Sequence, residues 1–353
     1  MPPRTTRRPS MADVARRVGV STQTISRYYS GQGYVSEETR VRIAAVVDEL
    51  GYVPNRAAGS LRARRTGTIG VLNVGELNWG SAQILSGLSA AARASGQALL
   101  IAEVDPDQGA EEWREHARAA VDNFLAAPVD AIIVSTAMQG SEEVFAAARE
   151  RVPVVNLSAR PRSEDPERPL PSSVGYDATR HLLELGHRRV AHLVGPRTRN
   201  EALDREAGYL RAMAEAGLEP QVLEGATDWW APSGAAAADR LDSIDFTAVF
   251  AGNDELALGF MSRLEGRGLR APEDYSIVGV DDMPTAAFFS PPLTTIAIDF
   301  AQIGKLALEA AVQAIETGEH RPLPIAEQPL RIRASTAPLR FGQPVGHTAS
   351  TTS

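Results

Sequence analysis

From residue 68 onward, short β-branched runs alternate with amphipathic helical stretches, and few architectures satisfy that order. The runs fall at 68–72, 99–104, 131–134, 154–157, 190–194, 248–251, 277–280 and 294–298. Helical periodicity fills 81–95, 111–126, 142–151, 179–185, 202–216, 255–267 and 301–317. Continuous apolar strands separated by helices imply parallel sheets covered on both faces. A proline-rich break at 161–171 predicts two lobes rather than one sheet. Ligands of such sheets sit at the carboxyl ends of the strands. The residues just past each run are therefore the first candidates: Asn73, Ser158, Asn253, Asp254, Asp281 and Asp282.

Charge divides the chain differently. The formal net charge is −8, yet residues 1–65 hold twelve arginines against five acids, a local +7, which leaves −15 for the remainder. A basic head on an acidic body confines the attraction for phosphate to one small module. The absence of cysteine removes disulfides, iron–sulfur clusters and thiol nucleophiles. The basic start is followed by no apolar signal segment, and no run approaches the roughly 18 apolar residues of a membrane span. A cytoplasmic protein without a membrane partner is expected.

The head has the pattern of a fold. Val14, Val18, Val20, Ile25 and Tyr28 recur at helical spacing, and Gly19 supplies a turn residue free to take positive φ. Two helices, at 11–18 and 21–29, are predicted with Ser21 as N-cap of the second. A third helix opens near Ser36, carries Glu37 and Glu38 in its first turn and ends at Gly51. This is a helix-turn-helix module of about sixty residues, a size that folds alone with a small margin.

Three segments then carry a resemblance. They are Met11-Ala-Asp-Val-Ala-Arg-Arg-Val-Gly-Val-Ser-Thr-Gln-Thr-Ile-Ser-Arg27, Val35-Ser-Glu-Glu-Thr-Arg40 and Leu50-Gly-Tyr-Val-Pro-Asn-Arg56. With Gly186-His-Arg-Arg, Gly252-Asn-Asp-Glu-Leu-Ala-Leu-Gly259 and Ser290-Pro-Pro-Leu-Thr-Thr295, the chain resembles the lactose/galactose-repressor family of transcription regulators over nearly its whole length. The resemblance implies an N-terminal all-α helix-turn-helix head plus an α/β two-lobed, periplasmic-binding-protein-like effector domain with parallel sheets. The boundaries are a disordered basic arm at 1–9, the head at 10–54, a hinge at 55–66, the two-lobed effector and dimerisation domain at 67–338 and a disordered tail at 339–353.

On that reading the second helix enters the major groove of a pseudo-palindromic operator, with Thr22, Gln23 and Arg27 reading bases. Ser21, Thr24 and Ser26 bond phosphates and set register. The hinge begins at Asn55 and is too short to be helical alone in water, with Gly59 lowering its propensity further. Paired on DNA, two hinges enter the minor groove, Ala58 packing closely and Leu61 wedging a base step. A homodimer follows from operator symmetry. The leucine-free stretch 341–353 lacks the heptad that makes tetramers in the lactose repressor.

In the body, Arg205 matches the family's sugar-forking arginine, with Asn253 and Asp281 as partners. The Asp228-Trp-Trp-Ala-Pro-Ser-Gly234 segment resembles one whose tryptophan, here Trp229, stacks on a sugar ring. Asn73 and Ser158 are expected to add polar contacts from the first lobe. Val74, Ser158 and Ile298 depart from the lactose-repressor pattern, so lactose itself is not implied. The leading expectation is a repressor of carbohydrate-utilisation genes governed by a sugar or glycoside. A purine or nucleoside co-repressor on the same scaffold, and a sugar-acting enzyme with a DNA-binding head, stay open as alternatives. No cofactor is expected. No nucleophile–base–orienter set, phosphate loop or metal-spaced histidine pair can be assembled from the sequence, so the enzyme is the weaker of these.

Overall fold

The computed structural model describes residues 9–30, 33–52, 65–104, 111–135, 142–157, 174–319, 323–324 and 327–339. The chain divides into two units, Met1–Gly67 and Thr68–Ser353. The hinge positions Asn55, Ala58 and Leu61, the candidate Ser158 and the proline-rich stretch 161–171 lie outside the described residues.

In the first unit, helix α1 (Met11–Val18) opens with a capping box. Asp13 N–H donates to Ser10 Oγ, and Ser10 N–H donates to the Asp13 carboxylate at 2.9 Å. Gly19, at φ 79°, turns the chain into α2 (Thr22–Ser30), capped by Ser21, whose Oγ accepts from Thr24 N–H at 3.1 Å. Ser36 caps α3 (Glu37–Leu50). Val14, Ala15, Val18, Ile25 and Ile43 pack between the three helices, and Val35 and Tyr52 close the cluster from outside them.

The second unit holds two sheets. The first is parallel, in the order β2-β1-β3-β4, formed by β1 (Thr68–Val74), β2 (Ala98–Val104), β3 (Ala131–Val134) and β4 (Val154–Asn156). Helices α5 (Glu112–Ala126) and α6 (Glu142–Arg149) bury Trp113, Phe124 and Phe145 on one face. Helix α4 (Trp79–Ser95) covers the other.

The second sheet runs β10-β9-β8-β7-β5-β6. Its strands are β5 (Val190–Leu193), β6 (Gln221–Leu223), β7 (Ala248–Ala251), β8 (Ser276–Asp281), β9 (Thr294–Ala297) and β10 (Leu330–Arg331), and only β10 pairs antiparallel. Helices α7 (Val174–Glu184) and α8 (Asn200–Glu215) lie on one face, and α9 (Ala231–Asp239) and α10 (Asp254–Glu265) on the other.

Four elements add to the sequence expectation. Residues 228–234, outside the helical stretches read from the sequence, run into helix α9, whose Pro232 occupies the first turn, where a missing N–H costs nothing. Strands β6 and β10, three and two residues long, are too short for a period to show. The last helix, α11 (Phe300–Thr317), packs on the first lobe: Ala307, Leu308 and Ala311 share a cluster with Ile69, Ile84 and Leu88. Gly87 and Gly304 let α4 and α11 approach closely, because a Cβ at either would overlap a backbone carbonyl of the other helix.

Candidate functional site

Helix α8 starts just past β5, so its first turns reach the carboxyl end of the second sheet. Glu201, Asp204 and Arg205 stand at i, i+3 and i+4, and this spacing puts all three on one face. That face lines a cavity of about 190 Å³, whose walls include Asn253, Asp281 and Trp229 of the same lobe, and Asn78, Ser81 and Ser135 of the first lobe.

Arg205 organises the floor. Its Nη1 donates to the Gly252 carbonyl at 2.6 Å, its Nη2 reaches the Asp281 carboxylate at 3.4 Å, and its guanidinium lies 5.1 Å from the Trp229 ring centroid. Asp281 is buried, which pushes its carboxyl up to about 7; Arg205 pulls it down, while Glu201 and Glu255 push it up. The group is therefore poised between donating and accepting near neutrality.

Asp281 is aimed by backbone strain. It has φ 114° and Asp282 has φ 52°, conformations that cost roughly 1–3 kcal/mol each in a non-glycine residue. Side chains hold the turn. Asp282 accepts from Arg333 at 2.5 Å and faces Arg331 at 3.7 Å. Asp254 accepts from Thr295 Oγ1 at 2.6 Å and from Met283 N–H at 2.8 Å. Burial and the neighbouring Asp281 raise the Asp254 carboxyl well above its ordinary value. Asp254 thus braces the strained turn. It does not cap α10: the cap is Asn253, whose Oδ1 accepts from Leu256 N–H at 2.8 Å while its Nδ2 donates to the Trp229 carbonyl at 3.1 Å.

Trp229 borders the cavity but is buried. Gly195 packs against its six-membered ring, where a Cβ would overlap it, and Arg205 covers it with a cation. The indole is a wedged wall rather than an open stacking platform. Asn73 is off the cavity wall. Its amide donates to the Gly75 carbonyl at 2.6 Å and accepts from Ser135 Oγ at 2.8 Å, so it positions Ser135. Ser158 lies outside the described residues, and its neighbour Leu157 lines the cavity.

Sequence reasoning missed Glu201, Asp204, Ser135 and Phe300, all on the cavity wall. The helical spacing from Arg205 would have found the first two. It also missed two ties between the lobes. Arg199 Nη1 donates to the Val74 carbonyl at 2.6 Å, and Trp230 Nε1 donates to Glu76 at 3.1 Å. His187 is structural: its ring nitrogens face Thr247 Oγ1 at 3.0 Å, Ser276 Oγ at 3.0 Å and the Ala337 carbonyl at 3.1 Å, pinning the returning C-terminal segment.

In the first unit, α2 presents Thr22, Gln23 and Arg27 as exposed side chains, with Arg27 lying beside Gly33. Ser21 and Thr24 are engaged with each other, hydroxyl to hydroxyl at 2.9 Å, so they order the helix start as well as facing outward. Ser26 is half-buried. Among the described residues no cluster of three or more His, Cys, Asp or Glu could hold a metal ion, and no helix is long and apolar enough to cross a membrane.

A helix-turn-helix unit and a two-lobed unit with a polar cavity at its sheet ends are the parts of a ligand-responsive DNA-binding regulator. Residues 10–55 match the lacI family of bacterial regulatory proteins, and residues 179–336 match the periplasmic binding protein-like domain. The HTH-type transcriptional repressor PurR of Vibrio campbellii (strain ATCC BAA-1116) is 34% identical over 328 residues, 91% of this chain and 96% of that protein. The crystal structure of the lac repressor dimer bound to operator and the anti-inducer ONPF superposes with a TM-score of 0.79 at 30% identity, covering 94% of this chain and all of that one. The complex of the transcriptional regulator CelR with cellobiose gives 0.62 at 29% identity, over 93% of this chain and all of that one. The chain belongs to the LacI family of DNA-binding transcription regulators.

Proposed function

We propose that this chain is a homodimeric transcriptional repressor whose operator affinity is set by a small molecule in the cavity of the second unit, and that this molecule is a purine base. The purine assignment replaces the sugar as leading reading because the similar full-length regulator is named PurR, a purine repressor. The observation that carries effector control is the convergence of the buried side chains of Arg205, Asp281 and Asn253 on one cavity beside Trp229. A carboxyl poised near neutrality, an amide and a guanidinium suit the ring nitrogens and exocyclic groups of a heterocycle. The helix α2 positions Thr22, Gln23 and Arg27 are the proposed base readers. Dimerisation is supported by the apolar Leu100 and Ile101, exposed on the edge strand β2.

A sugar or glycoside is the second reading. It is supported by the likeness to the ONPF-bound and cellobiose-bound regulators, and by polar groups on several cavity walls around a covered tryptophan. Calorimetry of the whole chain against adenine, guanine, hypoxanthine and xanthine, and in parallel against glucose, galactose, lactose and cellobiose, separates the two. Fluorescence anisotropy with a duplex from the upstream region of its own gene follows. The purine reading expects a binding purine that changes operator affinity; a sugar alone doing so transfers the conclusion to the second reading. Attachment to the duplex that does not weaken with salt would overturn the assignment of DNA contacts to the arginine-rich head.

A further inference from the structure

The second lobe holds another cavity, of about 440 Å³, at the amino end of its sheet. It lies among the last turns of α10, the segment entering β8 and the segment entering β9. Met261, Leu269, Ala271, Pro272 and Pro291 give it an apolar wall, and Glu265 and Arg270, paired at 3.7 Å, give it an edge in water. Strand β8 starts at Ser276, directly after Tyr275, and ends at Asp281 on the wall of the first cavity, so about 20 Å of strand separates the two. The volume is that of a small-molecule site, roughly 300–1,000 Å³.

Tyr275 distinguishes this cavity from a packing gap. The residue is 1% exposed, and its hydroxyl, fully buried, has no hydrogen-bond partner among the described residues. Phe246 and Phe260 meet the ring edge to face, with centroids 6.2 and 6.3 Å away, and hold it in place. Burial foremost, then the charges of Asp274 and Glu265, raises the phenol above its ordinary value, so the group stays a proton donor. Glu265 is itself on the cavity wall, which sets the hydroxyl on the cavity side of the ring. A buried donor without an acceptor is costly, and the apolar wall suits a carbon skeleton better than a water, which takes roughly two to four polar partners. We infer that the second lobe carries a second ligand site, distinct from the effector cavity, for a compact uncharged molecule whose carbonyl accepts from the Tyr275 hydroxyl while its carbon skeleton lies on Met261, Leu269 and Pro291. The site does not depend on what the first cavity binds.

Met261 supplies a local reporter, since no methionine lines the first cavity among the described residues. The full chain, isotope-labelled at its methionine methyls, is titrated by NMR with acetophenone and with cyclohexanone, and in parallel with ethylbenzene and methylcyclohexane, which keep the skeleton and lack the carbonyl. A Met261→Leu variant assigns the signal. The same titrations, and a melting temperature without added compound, are taken on Tyr275→Phe. The expected result is a Met261 methyl shift that saturates with at least one ketone, at a concentration roughly tenfold or more below that of its hydrocarbon, and a preference that disappears in Tyr275→Phe. Tyr275→Phe should melt no lower than the original chain, because it gives up a hydroxyl with no bond to lose. A lower melting temperature means a hydroxyl already engaged and overturns the inference, as does a Met261 signal that neither ketone moves. A ketone preference that survives in Tyr275→Phe overturns the role of the hydroxyl, and equal affinity for ketone and hydrocarbon overturns that of the carbonyl.

Discussion

Replacing Arg205 by alanine removes three things at once, and their sizes differ with pH. The Gly252 carbonyl loses a charged donor at 2.6 Å in a buried setting, which costs about 1–3 kcal/mol at any pH. The cation over Trp229 is lost with it. The third term is the pairing with Asp281. That carboxyl sits at about 7, so at pH 6 it is mostly protonated and gains little from Arg205, whereas at pH 8 it is mostly ionised and depends on it. Losing the guanidinium raises the carboxyl further, and at pH 8, one pH unit above 7, the pH-dependent part is at most about 1.4 kcal/mol. The expected destabilisation is then roughly 2 kcal/mol at pH 6 and roughly 3 kcal/mol at pH 8.

Denaturant unfolding followed by tryptophan fluorescence reads this directly, because the four tryptophans are Trp79, Trp113, Trp229 and Trp230, all in the second unit. The same substitution should abolish the effector response and leave salt-dependent operator attachment in place, since Arg205 belongs to the other unit than α2. In an Asp281→Asn background the increment between pH 6 and pH 8 should vanish, as a double-mutant cycle requires. An equal cost at both pH values, or a larger one at pH 6, would refute the pairing argument.

Other outcomes follow from the same geometry. A carboxyl raised from about 3.9 unfolded to about 7 folded binds its proton more tightly in the native state. Its stabilising contribution is therefore full below pH 4, is lost as pH rises through 7 and is flat beyond; Asp254 and Glu201 shift in the same direction. Melting temperature should accordingly fall between pH 5.5 and 7.5, and Asp281→Asn should flatten that slope. Gln23→Ala and Arg27→Ala should each weaken operator binding by about 1–3 kcal/mol and relax base preference at one position, measured by anisotropy against single-base operator variants. Gly195→Ala forces a methyl into the Trp229 ring and should impair effector binding more than it lowers melting temperature, a contrast that calorimetry and thermal unfolding together expose. Trp230→Phe removes the donor to Glu76 between the lobes and should weaken effector binding by up to about 1.5 kcal/mol while the packing is retained.

What the sequence revealed, and what it concealed, follows from the range of the forces involved. The head was legible because capping, turn chemistry and helical period act within a few residues: Ser10, Gly19, Ser21, Ser36 and Gly51 each sit where a local rule puts them. The strands of the body were legible because both faces are covered and each run is nearly continuous. What escaped is set across long stretches of chain. The left-handed backbone at Asp281 and Asp282 has no local signal, since nothing nearby is glycine at the required place. It exists because Arg333, Thr295 and Asp254, none closer than thirteen residues, hold it. Likewise Asn73 looked like a ligand contact by its place at a strand end, and only the fold reveals that Ser135, sixty-two positions away, takes its amide.

The same distinction applies on the cavity wall, where side chains that line the cavity also hold the fold. Arg205 anchors to a backbone carbonyl and Asn253 caps a helix while touching Trp229, so both serve the scaffold whatever ligand enters. Glu201 is drawn into the scaffold as well: its carboxyl is hydrogen-bonded to its own backbone in the first turn of α8, beside the bond from Leu203 N–H to the Arg199 carbonyl at 3.3 Å. Substitution at Arg205 or Asn253 therefore costs stability as well as altering the cavity wall. On the proposed function, a ligand that disturbs the Arg205–Asp281 pair acts on the fold itself, so its affinity and the stability of the second unit should change together when either residue is replaced.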